Sequence, residues 1–404
     1  MHTITLSDLP AKQCHREEFR SGTFRVLSRS GLHPTERVLL ENLPAQVPGE
    51  ILIAGNRSGV MGLVLATENP GANVVQHVFD IHHAKALQRT LASHDVSRVR
   101  VECTPFLPEL SGTRLALLQS TSRDTPAELL LDQLEELRAG LPDGATCLVA
   151  YDGKPDWLRK QMKQIFGQVT AIPAVREVTL FRSTLVRTAS DRAAPGADQP
   201  PGTCPGPHLF ARRNFSATFN ASLPGDPPLQ LSTLPGVFAH RRADEGGLAL
   251  AEVAARMIEP GARVFDMGCG CGLVGLLLAR HAPPAMLLCA DSHARAIHCT
   301  ERNAQANGLA HVQTLLTDSP APDVPFDVFV GNPPYYSDYR IAELFIRAAH
   351  QALAPGGTAF IVAKSHRWHE GFMMELFGNA EVIKRRGYGV VKSVRRPPGG
   401  GSNP

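Results

Sequence analysis

Two stretches of the chain share one pattern of apolar and polar positions: a short apolar run, a glycine-rich bend and a further apolar segment of helical length. In the second stretch Val264-Phe265 reads as a buried parallel strand closed by Asp266. Gly268, Gly270 and Gly272 follow at every second position, and Leu273-Val-Gly-Leu-Leu-Leu-Ala279 continues as a helix. In the first, Glu50-Ile-Leu-Ile-Ala54 runs into Gly55, Gly59 and Gly62. With Gly55 placed beneath Gly268, Gly59 falls beneath Gly272, Gly62 beneath Gly275 and Leu63–Ala66 beneath Leu276–Ala279, an offset of 213 positions. Later landmarks keep nearly that offset: Asp80 with Asp291, Gly144 with Gly356, Lys154 with Lys364, and Phe166-Gly167 with Phe377-Gly378. A near-constant offset over more than a hundred residues predicts two copies of one α/β domain.

Strand, glycine loop and helix together cradle a nucleotide-like ligand at the carboxyl edge of a parallel sheet. Glycine is needed there because the backbone must turn tightly and approach the ligand without a Cβ. The spacing is Gly-x-Gly-x-Gly directly after an acid. That differs from the dinucleotide fingerprint and suits a ligand without pyrophosphate. Ala285–Asp291 reads as the next strand, and a carboxylate at its end suits the two hydroxyls of a ribose. A helix over 292–307 stops at Gly308, and Val312–Asp318 is a further strand, with Asp318 expected near the adenine end of the ligand or as an ordinary loop acid. Upstream, Asp244 is placed to cap a helix over Leu248–Ile258, and its segment is equally placed for a ligand-side role.

The most specific segment is Phe326-Asp-Val-Phe-Val-Gly-Asn-Pro-Pro-Tyr335. An apolar strand runs into Asn332-Pro333-Pro334-Tyr335. The prolines fix φ and remove two donors, so the loop is stiff and its carbonyls are left to accept. The side-chain oxygen of Asn332 and the carbonyl of Pro333 together suit the two hydrogens of a planar exocyclic amine, and Tyr335 offers a face for stacking on a base. The first copy has none of this. Ile53 stands in place of Asp266, Arg57 in place of Gly270, and Leu115–Ser120 carries no Asn-Pro-Pro. It is expected to keep the fold without the chemistry.

At 404 residues two domains are expected. The boundaries read as 1–187 for the degenerate copy, 188–206 for a Pro/Gly-rich linker, and 207–404 for the catalytic copy. Residues 1–206 are balanced in charge, and the formal net charge of +3 lies in residues 207–404. Basic pairs at Arg212-Arg213, Arg241-Arg242, Lys384-Arg385-Arg386 and Arg395-Arg396 could each meet phosphate or be ordinary surface charge, and so could Lys364. The eight cysteines form no paired Cys-x-x-Cys units, so no metal site and reduced thiols are expected. No apolar run reaches the roughly 18 residues needed to span a bilayer, and the N-terminus lacks the layout of a signal peptide. A cytoplasmic protein without membrane partners is the expectation.

Gly-x-Gly-x-Gly after Asp266, Asp291 after the second strand and Asn-Pro-Pro-Tyr after the fourth resemble the methyltransferases that act on planar amino nitrogens. With the degenerate first copy, Gly236-Val-Phe238, Asp244-x-Gly246 and the Gly356–Lys364 segment, the chain is similar to the ribosomal RNA guanine-N2 methyltransferases of the RsmC/RlmG type. One departure is Tyr335, where those enzymes commonly carry phenylalanine. The resemblance implies two tandem Rossmann-like domains and S-adenosyl-L-methionine held by Asp266, Gly268, Gly270, Gly272, Asp291 and Asp318. It further implies catalysis at Asn332, Pro333, Pro334 and Tyr335, ribosomal RNA or a ribosomal particle as partner, and an N-terminal copy that helps grip the RNA. The same motif also serves adenine N6 and release-factor glutamine methylation. A non-catalytic RNA-binding or assembly factor is the alternative from another class; a nicotinamide dehydrogenase is disfavoured by the glycine spacing.

Overall fold

The apolar runs become the central strands of two seven-stranded sheets. The computed structural model describes residues 32–44, 46–47, 49–56, 58–92, 94, 98–173, 177–187, 213–319, 324–334 and 339–397, and the backbone alone of 2–5, 14–19 and 22–27. The chain divides into two compact units, Met1–Phe215 and Ser216–Pro404. Arg57, Tyr335, Arg212 and the expected linker 188–206 lie outside the described residues.

The first unit opens with a three-stranded sheet of β1 (His2–Thr5), β2 (Cys14–Phe19) and β3 (Gly22–Leu27), followed by α1 (Pro34–Glu41). Its main sheet comprises β4 (Glu50–Ala54), β5 (Asn73–Val78), β6 (Val99–Cys103), β7 (Thr113–Ser120), β8 (Thr146–Tyr151), β9 (Thr170–Pro173) and β10 (Thr179–Thr184). The helices between them are α2 (Val60–Glu68), α3 (Ile81–Ala92), α4 (Ala127–Gly140) and α5 (Pro155–Phe166). The second unit opens with a hairpin of β11 (Ala217–Ala221) and β12 (Leu229–Thr233), then α6 (Glu245–Ala254). Its main sheet comprises β13 (Arg263–Met267), β14 (Met286–Asp291), β15 (Val312–Leu316), β16 (Phe326–Gly331), β17 (Leu353–Ala363), β18 (Glu381–Arg385) and β19 (Tyr388–Val394). Here the helices are α7 (Leu273–His281), α8 (Ala294–Ala306), α9 (Arg340–Ala352) and α10 (Arg367–Phe377).

Strand order is β6-β5-β4-β7-β8-β10-β9 in one sheet and β15-β14-β13-β16-β17-β19-β18 in the other. Both read 3-2-1-4-5-7-6, with five parallel strands and an antiparallel pair at one edge. The duplication extends to single bonds. Gly144 donates to Leu185 O at 2.9 Å and Gly356 to Arg395 O at 2.7 Å, in each unit tying the fifth strand's start to the residue after the seventh strand. Asp80 Oδ1 accepts from His82 N at 2.8 Å and Asp291 Oδ1 from His293 N at 2.9 Å. The two tandem Rossmann-like domains read from the sequence are the architecture of the protein.

In the second unit α6 and α7 cover one face of the sheet, with Leu250, Val253, Leu276 and Leu277 packed on Val264 and Val330. On the other face α9 and α10 pack Phe345, Ile346 and Met373 against Phe265 and Phe329. Several expected basic sites are spent inside the unit. Arg385 and Arg386 converge on buried Glu252, and Arg395 and Arg396 donate to the carbonyls of Leu353 and Gly378. In the first unit Arg213 pairs with Glu135. Arg241 and Arg242 are exposed. Among the described residues no helix is long and apolar enough to cross a membrane, and no group of His, Cys, Asp and Glu could hold a metal ion.

Phe265 lies centrally between these layers, 1% exposed and 5.2 Å from the rings of both Phe326 and Phe329. Truncating it opens a large cavity beneath β13. Phe265→Ala is expected to cost about 3–5 kcal/mol, read as a lower urea midpoint with an unchanged slope; a loss under about 1 kcal/mol would contradict this packing.

Candidate active site

The order 3-2-1-4-5-7-6 reverses direction between its first and fourth strands. In an open α/β sheet the crevice outside that point is where ligands bind. In the second unit the two strands are β13 and β16, paired with Asp266 opposite Val330 and Met267 opposite Gly331. The register therefore brings the glycine loop and Asn332 to the same point of the carboxyl edge. Phe345 of α9 seals the base of this crevice. A Cβ added at Gly268 would lie 2.7 Å from its ring, and one at Gly331 2.8 Å, so glycine at both positions lets the two loops share one aromatic floor.

Asp266 is 2% exposed, and its Oδ2 accepts from Gly275 N in the first turn of α7 at 2.9 Å. Burial pushes its carboxyl up to about 7; the Gly275 amide opposes this and the nearby Asp291 carboxylate adds to it. The loop it supports turns through left-handed conformations at Gly268, Gly270 and Gly272, with φ of +70°, +58° and +85°. Gly270 faces open space where a Cβ would stand, and its N–H donates to Asp291 Oδ2 at 2.9 Å. Asp291 thus ties the loop to the end of β14. A carboxylate has about four acceptor sites, so it can serve two backbone amides and a ribose together. Asp318 is half-buried two residues beyond β15, on the same edge.

Two polar side chains of α8 that the sequence reading missed brace the loop from behind. Thr300 Oγ1 donates to Gly270 O at 3.1 Å, and Asn303 Nδ2 donates to Cys271 O at 2.9 Å. Both are buried on the inner face of an otherwise amphipathic helix. Polar residues at apolar positions of the period were the available signal. Cys269 and Cys271 are buried free thiols. A hydrogen bond with Cys289, together with burial, pushes the Cys269 thiol well up, and burial pushes Cys271 up to about 12. Both are protonated and unreactive.

Asn332 leaves β16 half-buried, followed by buried Pro333 and half-buried Pro334. Its Nδ2 donates to Asp244 Oδ2 at 2.9 Å, and the same oxygen accepts from Gly247 N at 2.7 Å. Asp244 therefore both caps α6 and fixes the amide of Asn332. With its nitrogen held by the carboxylate, the amide presents its oxygen away from Asp244 as an acceptor. The sequence reading had left Asp244 between capping and a ligand-side role; the structure gives it the cap and this link to Asn332.

The equivalent position in the first unit is Gln119, since Ala54 pairs with Leu118 as Met267 pairs with Gly331. Its amide is consumed internally. Nε2 donates to Thr35 Oγ1 at 3.0 Å and Oε1 accepts from Asn56 Nδ2 at 2.8 Å, while Gln76 Nε2 donates to Asn56 Oδ1 at 2.8 Å. Ile53, fully buried, replaces Asp266. The first copy has filled its crevice with its own side chains.

Several known proteins resemble the chain. The family model for the methyltransferase small domain matches residues 228–392. The chain is 28% identical over 270 residues to ribosomal RNA small subunit methyltransferase C of Stutzerimonas stutzeri, covering 65% of this chain and 74% of that protein. The Pseudomonas entomophila protein of the same description is 28% identical over 296 residues, covering 72% of this chain and 81% of that protein. Among solved structures, the T. thermophilus 16S rRNA N2 G1207 methyltransferase RsmC, in complex with AdoMet and guanosine, superposes with a TM-score of 0.71. It covers 95% of this chain and 98% of that one at 19% identity, which makes it a shared fold. The open space over Gly270 and the acids ending β14 and preceding α7 fit a nucleoside cofactor carrying no phosphate.

Two outcomes follow from Asp266 and Asp244. Asp266 binds its proton more tightly folded than unfolded, so its stabilising contribution is present below about pH 4 and is lost as pH rises through about 7. Without added cofactor, Asp266→Asn should flatten that fall, gaining up to a few kcal/mol on wild type between pH 4 and 8; parallel pH–stability curves would contradict the raised carboxyl. Asp244→Ala should lower kcat by about a hundredfold with the KM for methyl donor nearly unchanged, and an unchanged kcat would dismiss the orienting role.

Proposed function

We propose that this chain, which belongs to the RsmC/RlmG type of S-adenosylmethionine-dependent methyltransferases, methylates the exocyclic N2 amine of a guanine in ribosomal RNA. The observation that carries the reading is the fixed amide of Asn332 at the switch point, beside the glycine loop. Gly268, Gly270, Gly272, Asp266, Asp291 and Asp318 hold the cofactor, which supplies a methyl group on sulfonium. Asn332 Oδ1 and the carbonyl of Pro333 accept the two amine hydrogens, and Pro334 stiffens the loop. That leaves the nitrogen lone pair directed away from both acceptors. Tyr335 stacks on a base presented out of its helix. The nitrogen becomes strongly acidic as it is alkylated, so its proton passes to water and no strong base on the chain is needed. Orientation carries most of the rate.

The preference for guanine within ribosomal RNA is supported by the relatives' descriptions and by guanosine in the T. thermophilus complex. Adenine N6 and a release-factor glutamine amide would use the same acceptors. The tandem arrangement favours RNA, since the degenerate unit keeps the same strand order while Gln119 bonds to Thr35 and Asn56 at its switch point. A purely scaffolding role is opposed by Asp266. A buried carboxyl raised to about 7 serves packing poorly, and the first unit, which has Ile53 there, forms the same sheet without it.

Asn332→Ala should abolish methyl transfer to ribosomal RNA, a fall of at least about a hundredfold, while cofactor affinity by calorimetry stays within about twofold. Normal turnover in this variant would sink the assignment.

A further inference from the structure

The rim that carries Asn332 also carries a column of flat side chains. The guanidinium of Arg347 lies 5.1 Å from the ring centroid of Phe372. Phe372 stacks on Trp368 at 5.2 Å and 13°, and Trp368 on Tyr339 at 4.6 Å and 15°. His369 meets Trp368 edge-on at 5.3 Å and Tyr339 at 5.9 Å, and burial holds its imidazole below the usual range, hence neutral. Arg347 lies two turns into α9, whose N-cap is Tyr339; Trp368 and Phe372 are one turn apart on α10. The column thus climbs toward the first turns of both helices. Those turns follow the carboxyl ends of β16 and β17, the edge where Asn332 stands.

Tyr339 is the top of the column and does not belong to the core. It is 45% exposed, with Trp368 against one face and His369 against an edge. Its φ of 65° is left-handed, uncommon for an aromatic residue and maintained only where the surroundings over-determine it. Exposed Arg340, Lys364 and Arg367 belong to the same helix starts and the loop before them. The first unit offers a contrast. Its tryptophan, Trp157, sits at the matching place in α5 but meets Tyr151 tilted by 46° at 6.1 Å, and among the described residues no column continues from it.

We propose that the Tyr339–Trp368–Phe372 column is a stacking platform for an unpaired RNA base adjacent to the methylated nucleotide, a proposal that rests on reading the chain as an RNA methyltransferase. A base added to Tyr339 becomes the next ring of a preformed stack and orders little that is not already ordered. The neighbouring cations serve its phosphates. Proteins grip single-stranded RNA through this combination of aromatic faces and a cationic track, at a gain of about five- to a hundredfold per stacked base.

The test is binding of a labelled single-stranded oligoadenylate RNA to the full chain, with cofactor affinity measured in parallel. Tyr339→Ala should weaken RNA binding by about tenfold and Tyr339→Phe by less than about twofold. Neither should alter cofactor affinity, and the slope of affinity against salt should not change, because stacking releases no counterions. Tyr339→Leu, which keeps apolar bulk without a ring, should bind as weakly as the alanine variant. RNA binding equal to wild type in the alanine or leucine variant, or a loss accompanied by a changed salt slope, would overturn the platform. Methyl transfer to ribosomal RNA is scored separately. Ring-dependent binding without transfer would sink the enzymatic reading alone, and transfer with ring-independent binding would sink the platform alone.

Discussion

The hydrogen bond from Gly275 to the buried carboxylate of Asp266 is the constraint on which the carboxyl edge depends. It joins the end of β13 to the first turn of α7, and the glycine loop spans the interval between those two fixed points. Asp291 then fastens the loop to β14, and Thr300 and Asn303 fasten it to α8. A carboxyl in so dry a place is costly. The second unit carries it where the first has the buried Ile53.

The second fixed point is the oxygen shared by Gly247 and Asn332. Because Asp244 satisfies the start of α6 with the same atom, the amide's orientation is tied to the position of a helix buried on the sheet. An asparagine whose amide N–H is held by one hydrogen bond to a carboxylate is pre-set as an acceptor before any substrate arrives. An oxygen that must wait for an amine to orient it would forfeit much of the benefit of being there. In the first unit Gln119 has the same place on β7 but spends both ends of its amide on Thr35 and Asn56.

Much of this was legible before the fold was seen. The strand, glycine loop and helix around Asp266 declare themselves because backbone geometry demands glycine at fixed spacings. Asn332-Pro333-Pro334 does so because proline writes loop stiffness directly into the chain. The duplication was readable as an offset, and Gly144 and Gly356 make the same long-range backbone bond in their units. The Asp244–Asn332 bond was not legible, since it joins residues 88 positions apart and neither side chain breaks a local pattern. The aromatic column on α9 and α10 escaped for the same reason: its members are spaced as ordinary helix residues. The basic pairs left phosphate contact and ordinary surface charge both open in sequence; in the fold Arg385 and Arg386 neutralise Glu252, and Arg395 and Arg396 donate to carbonyls within the unit.

The central claim is that this edge delivers methyl groups to the amine of guanine in ribosomal RNA. It is tested most directly by supplying labelled S-adenosylmethionine with separate 16S rRNA, 23S rRNA, ribosomal particles and release factor, then digesting to nucleosides and amino acids. Label recovered as N2-methylguanosine is the predicted result. Label in N6-methyladenosine or methylglutamine, or none in any substrate from a protein that does not bind the cofactor, would contradict it.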